Sequence, residues 1–301
     1  MKPKLVDNLS IPELKKICNF LKGVAKAAGK MILAADPSVD GSEEKNNTSD
    51  RVTATDKAVE AMIHAELTAN YPDFDFLGEE SFKAGQKLSK KPTFVVDPID
   101  GTLNFCHGFP NAAVSLALTI RRKPVVGVVY NPFRGDLFYA TQGCGAVLQK
   151  ADGSKKKLGL NPRPISSLND CLVAVEWGNQ RTGPNWQLRT RMAMDFMTAK
   201  KDGGRMCHSL RSSGSAALDF CYVAAGWIDV FWEGGCWVWD VAAGWIILLE
   251  AGGLVVSANP GDWEPGVEGR LYMGIAAAER QQQESIVEEV WAMMGEGKFV
   301  F

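Results

Sequence analysis

The sequence predicts a mixed fold, α+β or layered α/β, and three observations carry that expectation. Helix-period apolar patterns stand near both ends of the chain, at 11–35, 56–70 and 279–294. Between 111 and 157 the pattern changes to short apolar runs broken by Gly, Pro and charge, as successive antiparallel strands require. Beyond that point strands and helices mix without the strict βαβ rhythm of a nucleotide-binding sheet.

The first helix places Leu14, Ile17, Cys18, Leu21, Val24, Ala28 and Ile32 on one face. Ser10 with Glu13 has the form of a capping box, and Pro12 suits a first turn. The stretch 36–50 (DPSVDGSEEKNNTSD) reads as a mobile loop or hairpin. A second helix runs from about Asp56 to Asn70, with Val59, Met62, Ile63 and Leu67 together and Pro72 just beyond. PTFVVDPIDGT reads as a short buried strand that stops at Asp97–Pro98. AAVSLALTI, PVVGVVYN, DLFYATQG and GAVLQK then read as antiparallel strands, and Lys155–Lys157 as a solvated turn. NPRPISS (161–167) is the expected domain boundary, separating an α+β domain (1–160) from an α/β domain (161–301). The second half predicts a strand near CLVAVEWG, a helix over Thr190–Met197 and another from after Ser213 to Gly226. A strand in WIDVFWE, a helix after Trp239–Asp240, a strand in GLVVSA and a closing helix from about Glu279 to Met294 complete it.

Composition narrows the function. Thirty-three Lys and Arg against thirty-five Asp and Glu leave a charge of −2 over 301 residues, without the basic excess that phosphate-neutralising nucleic-acid binders carry. No polybasic membrane face is present, and apolar runs such as VAAGWIILL (241–249) fall far short of the ~18 residues of a membrane span. The N-terminus MKPKLVDNLSIPELKK has charges where a signal peptide needs an apolar core. Seven scattered cysteines without a C-x-x-C give no zinc or redox spacing. The expectation is a cytoplasmic protein with reduced thiols that binds neither nucleic acid nor membrane. His64, His107 and His208 show no ligand spacing, and no P-loop exists.

Three acidic segments stand at strand ends or helix starts: Gly78-Glu79-Glu80, Asp97-Pro98-Ile99-Asp100-Gly101-Thr102 and Trp239-Asp240. Hard divalent cations such as Mg²⁺ take carboxylate, carbonyl and phosphate oxygens. In the second segment Pro98 fixes φ and Gly101 permits a tight bend, so Asp97 and Asp100 can face one point with the Ile99 carbonyl between them. Asp-Pro and Asp-Gly are also common turn dipeptides, and this pair alone leaves a plain turn and a metal site both open.

Read together, GEE, DPIDGTLNF and WDVAAGWIILLEAGG resemble the signatures of the inositol monophosphatase family, within the lithium-sensitive, metal-dependent phosphatase superfamily. DRVTATDKAVE, FPNAAVSLAL, GVVYNP and LRSSGSAAL extend the resemblance from about residue 50 to about 255. It implies a layered sandwich of alternating α and β layers, inositol-monophosphatase/fructose-bisphosphatase-like. It also implies Mg²⁺-dependent hydrolysis of inositol monophosphate by activated water, a homodimer, and Li⁺ as an inhibitor that replaces one weakly held Mg²⁺. By the same resemblance one Mg²⁺ is held by Glu79, Asp97 and the Ile99 carbonyl, and a second by Asp97, Asp100 and Asp240. The segment 36–50 closes over the site and contributes to a third, weaker metal position. Two such ions about 3.5–4 Å apart would offset four carboxylate charges and serve both attacking and leaving oxygens.

Glu79 and Thr102 are then the catalytic residues that orient and deprotonate water, and Asp56 orients Thr102. Asp56 equally suits a helix N-terminus, where an acid offsets the macrodipole. The backbone N–H groups of Gly101 and Thr102 are phosphate donors. Substrate contacts fall on Asp100, Gly101, Thr102, Gly214, Ser215, Ala216 and Glu233, with Arg211 leading the 211–216 stretch. The departures from the family pattern are Ser215, where mammalian members carry Thr, and the bulky GGCWVW between Glu233 and Asp240. These leave other substrates open: a bisphosphorylated nucleoside, fructose bisphosphate or histidinol phosphate. A catalytically silent regulatory homologue is the rival from another class, and five tryptophans between 227 and 245 suit a dimer contact.

Overall fold

The computed structural model of the chain describes residues 9–36, 42–47 and 50–301. The charged stretch before residue 9, and 37–41 and 48–49 of the expected hairpin, lie outside them. Helix α1 (Ile11–Ala34) starts at the anticipated capping box, where the Glu13 carboxylate accepts from the Ser10 N–H at 2.9 Å and its hydroxyl at 2.7 Å. Strands β1 (Glu43–Asn47) and β2 (Asp50–Val52) pair antiparallel. Helix α2 (Ala54–Asn70) begins earlier than the apolar pattern suggests because Thr53 is its N-cap. The Asp56 carboxylate closes that box by accepting the Thr53 N–H at 2.9 Å.

A seven-stranded sheet follows in sequence order: β3 (Asp75–Gly78), β4 (Thr93–Asp100), β5 (Ala113–Ile120), β6 (Lys123–Asn131), β7 (Asp136–Thr141), β8 (Ala146–Gln149) and β9 (Lys155–Lys157). Only the β3–β4 pair is parallel. β4 does not stop at Asp97–Pro98. A bulge between Asp97 and Asp100 lets pairing with β5 resume at Asp100–Ala113, and a short helix α3 (Thr102–Cys106) follows. Lys155–Lys157 is an edge strand rather than a turn, paired to Val147–Gln149 with its lysines exposed, a charge pattern that protects an open edge.

The second sheet has the order β11 (Ser209–Arg211), β10 (Leu172–Val175), β12 (Val230–Gly234), β14 (Leu271–Ile275) and β13 (Leu254–Val256). Its helices are α4 (Gly183–Met197), α5 (Ala216–Ala224), α6 (Val238–Glu250) and α7 (Arg280–Met294). α6 takes Asp240 into its first turn instead of starting after it, because that carboxylate accepts the Trp237 N–H at 2.6 Å. Pro184 at the start of α4 likewise extends that helix ahead of Thr190.

Residue alternation sorts these elements into five layers. Phe94 and Val96 of β4 pack with α1 and α2, whereas Val95 faces the α5–α6 layer. On β12, Phe231 faces α5 and α6 while Val230 and Trp232 join the outer core with α4 and α7. The order is therefore helices, seven-stranded sheet, α5–α6, five-stranded sheet, helices. The two sheets fall on either side of 161–167, and α6 packs on both. All seven cysteines are free, and among the described residues no helix is long and apolar enough to cross a membrane.

α6 lies so close to β6 that a Cβ on Gly127 would strike the Ala243 carbonyl. Gly127→Val is expected to destabilise the protein by about 2–3 kcal/mol through overpacking, measured as a fall in urea midpoint at unchanged m-value. An unchanged midpoint would contradict this account of the α6–sheet contact.

Candidate active site

The C-terminal ends of β3 and β4 and the N-terminal ends of α5 and α6 meet at one point. Asp97 and Asp100 are both buried, although they are ionisable groups at a strand end. Asp97 turns back to accept the Ile99 N–H at 2.9 Å. Asp100 accepts the Ser215 hydroxyl at 2.6 Å and the Ala217 N–H at 2.7 Å, so the start of α5 fixes it. Asp240 is fixed by the capping bond that starts α6. The outcome is that Asp97, Asp100 and Asp240 bring carboxylate oxygens within 4.8 Å of one another. Glu79, positioned by its N–H on the Val96 carbonyl at 3.1 Å, lines the same cavity.

Four acids this close are costly without compensating charge. Burial first, and then mutual repulsion, hold Asp97 and Asp240 well above the usual carboxylate range. Burial pushes Glu79 up to about 7, and Asp100 up to about 6 against the hydrogen bonds from Ser215 and Ala217. Lys45 of β1 supplies one cation, with Nζ 2.7 Å from both Glu79 and Glu80. The remaining donors are all carboxylate or carbonyl oxygens, and such a set fits hard divalent cations.

Gly101 makes the turn possible. Its φ of 93° is the left-handed conformation that glycine adopts without strain, and a Cβ there would lie 2.9 Å from the Gly214 carbonyl. The turn presents Thr102, whose hydroxyl lies 3.0 Å from both Asp56 Oδ1 and the Ile99 carbonyl. Asp56 therefore serves both readings given above, as helix cap and as partner of Thr102.

The cavity encloses about 400 Å³. Glu233 lines the same cavity, buried, with one carboxylate oxygen unpartnered and burial pushing it up to about 8. Every site residue named from the sequence lines this cavity except Arg211 and Asp56, the latter hydrogen-bonded to Thr102. Arg211 does not line it, since its guanidinium bonds the Ser209 hydroxyl and the Leu210 carbonyl. Ser215 spends its hydroxyl on Asp100. The sequence reading missed Lys45, Phe109, Glu176, Trp177 and Arg181. Of these, only Glu176 carried a usable signal, an acid directly after the buried strand LVAV. Lys45 and Asn47 place the β1–β2 hairpin across the site, because the Asn47 amide also donates to the Asn179 carbonyl at 2.8 Å.

Comparison with known proteins agrees with this geometry. Residues 13–294 match the model of the inositol monophosphatase family. The chain is 43% identical over 251 residues to "Inositol monophosphatase 2" of Saccharomyces cerevisiae, covering 83% of this chain and 84% of that one. It is 39% identical to "Protein qutG" of Emericella nidulans, covering 93% of each. Among solved structures, the extragenic suppressor protein suhB from Bartonella henselae superposes with a TM-score of 0.76 at 31% identity, covering 94% of this chain and all of that one. The fold and the acidic site define a phosphoric monoester hydrolase with a layered α/β architecture. The chain belongs to the inositol monophosphatase family.

Proposed function

We propose that this chain hydrolyses inositol monophosphate to inositol and phosphate, using two or three Mg²⁺ held by Glu79, Asp97, the Ile99 carbonyl, Asp100 and Asp240. The observation that carries the reading is the approach of Asp97, Asp100 and Asp240 to within 4.8 Å in a cavity that Glu233 also lines. When bound, Mg²⁺ would supply Lewis-acid activation of water and neutralise charge on the phosphate and leaving oxygens.

The protein's own groups do the rest. Of its two acceptors at 3.0 Å, the Asp56 carboxylate and the Ile99 carbonyl, the Thr102 hydroxyl would give its one proton to the charged Asp56, which leaves an oxygen lone pair to accept a hydrogen bond from the attacking water. Glu79, its affinity for protons raised by burial, takes that water's proton. The N–H groups of Gly101 and Thr102 bind phosphate oxygens, and Glu233 accepts hydrogen bonds from the alcohol's hydroxyls. Thr102→Val is expected to lower kcat by about 10²-fold while leaving KM within about threefold, and Asp56→Asn to cost about tenfold. Steady-state kinetics decide this, and a purely KM effect would contradict the role.

Arg181 and Trp177 favour a second reading. Arg181 is the one cation among the described residues that line the cavity, and Trp177 lines it too. An alcohol bearing another anionic group would suit Arg181, such as a bisphosphorylated nucleoside or fructose bisphosphate; histidinol phosphate, whose alcohol carries an ammonium and an imidazole instead, would suit Trp177 and the acids rather than Arg181. The relative named "Protein qutG" does not favour any one of these. Phosphate release over a panel of these esters, with and without Mg²⁺ and Li⁺, tests both readings. Faster turnover of another ester would replace inositol monophosphate, and no release from any would favour the silent regulatory homologue. The same proposal includes inhibition by Li⁺, a cytoplasmic homodimer and a partnership with small phosphate esters alone.

A further inference from the structure

Asp219 is a carboxyl without an assigned task. It sits in the first turn of α5 with no accessible surface, and neither of its carboxylate oxygens has a hydrogen-bond partner. An isolated buried carboxylate is too costly to persist, so such a group keeps its proton or shares one. The groups that bear on it are Glu176 just after β10 and Glu233 of β12, both acids, and the Ser213 hydroxyl, which alone favours its charged form. The buried cation Arg189 of α4 bears on Glu233 and Glu176 rather than on Asp219, and its Nη groups bond the Trp177 and Gly234 carbonyls at 2.8 Å each.

Glu176 is itself fully used on its other side. Its carboxylate accepts the Ser213 N–H, the Gly214 N–H at 3.0 Å and the Ser212 hydroxyl at 3.1 Å. From the opposite direction Asn104 and Asn111 donate to the Ser213 carbonyl at 2.8 and 2.9 Å. The turn 212–214 is thus clamped just before Ser215, whose hydroxyl holds Asp100. The same turn forms the cavity wall at Ser212, Ser213 and Gly214.

We propose that Asp219 is a positioning residue: protonated, it donates to Glu176, and the resulting carboxyl–carboxylate pair sets the 212–216 turn that faces the substrate alcohol. The inference rests on the phosphatase reading above. One proton serves two buried acids, so Glu176 stays charged enough to hold three donors while the pair carries a single negative charge. Burial, and then the charge of Glu176, hold the Asp219 carboxyl well above the usual carboxylate range, in keeping with a retained proton. Losing that proton would set two charges against each other and loosen the turn.

The test uses the full-length protein, Mg²⁺ and inositol monophosphate as the probe. Wild-type release of phosphate establishes the assay; its absence would count against the phosphatase reading, not against this pair. Asp219→Asn keeps a neutral donor and is expected to stay within about threefold of wild-type kcat/KM, whereas Asp219→Ala should lose about tenfold or more, mainly through KM. The alkaline limb of the pH profile should move up by about one unit or more in Asp219→Asn, because its amide has no proton to lose. The proposal is overturned if Asp219→Asn is as impaired as Asp219→Ala, or if its alkaline limb coincides with that of wild type. Should Asp219→Ala fail to fold, the limb of Asp219→Asn decides alone.

Discussion

Asp97→Asn is expected to remove Mg²⁺-dependent phosphate release, lowering kcat/KM by about 10³-fold or more, beyond the 10–100-fold typical of an outer partner of a metal ligand. The reason is placement. Asp97 is the acid at the centre of the cluster: Glu79, Asp100 and Asp240 all contribute to the repulsion it meets. An amide keeps the shape, and its oxygen can still accept the Ile99 N–H, but it would supply no charge to the proposed cations. The same substitution removes one of four mutually repelling acids, so the metal-free variant should melt no lower than metal-free wild type. Loss of activity with preserved folding is thus the expected pair of results. Activity within tenfold of wild type would mean that Asp97 does not bridge metals.

Metal removal carries the second large effect, and its direction depends on pH. Folding raises Glu79 to about 7 and Asp100 to about 6, and raises Asp97 and Asp240 well above their ordinary range. Unfolded carboxylates titrate near about 4. Between those limits the native state binds more protons than the unfolded state, so this cluster's contribution falls as pH rises. It is fully present below about pH 4 and is lost through pH 6 to 7 and above. On the proposed reading, Mg²⁺ would replace the missing protons. At a hundredfold excess over Kd each ion adds about 2.7 kcal/mol, which corresponds to about 5 °C in Tm for a chain of this size. Melting in EDTA and in Mg²⁺ at pH 5 and pH 8 isolates the cluster from other acids. The Mg²⁺-induced rise should be larger at pH 8, and an equal rise at both pH values would contradict a carboxylate metal site.

Much of this architecture was legible from periodicity. α1, α7 and the β5–β8 meander have long, regular apolar patterns, so their existence follows from the residues alone. β11 and β14 were not legible, because SLR and LYMGI are short and carry no alternation that separates a strand from a loop. β9 was misread because three lysines look like a solvated turn, while backbone pairing to β8 needs no apolar side chain. The end of β4 was misplaced for a related reason: proline ends most strands, but a bulge absorbs Pro98 and pairing resumes at Asp100.

The site divides along the same line. Glu79, Asp97, Asp100 and Asp240 each stand beside a turn or helix start, and such local chemistry survives in a linear reading. The groups that complete the cavity come from convergence across layers. Lys45 reaches Glu79 from a segment that reads as a loop or hairpin over the site but does not reveal which of its residues enters it, and Glu176, just after β10, meets the Ser213 and Gly214 N–H groups ahead of α5. Asp56 was ambiguous in sequence for a physical reason, since its two oxygens do two jobs, capping α2 and holding Thr102.

The most direct test of the account is the initial rate of phosphate release from inositol monophosphate by the wild-type protein across a Mg²⁺ titration that begins in EDTA. The account predicts no release in EDTA and a rate that rises and saturates with Mg²⁺. Release that is unchanged by EDTA, or no release at any Mg²⁺ concentration, would contradict it.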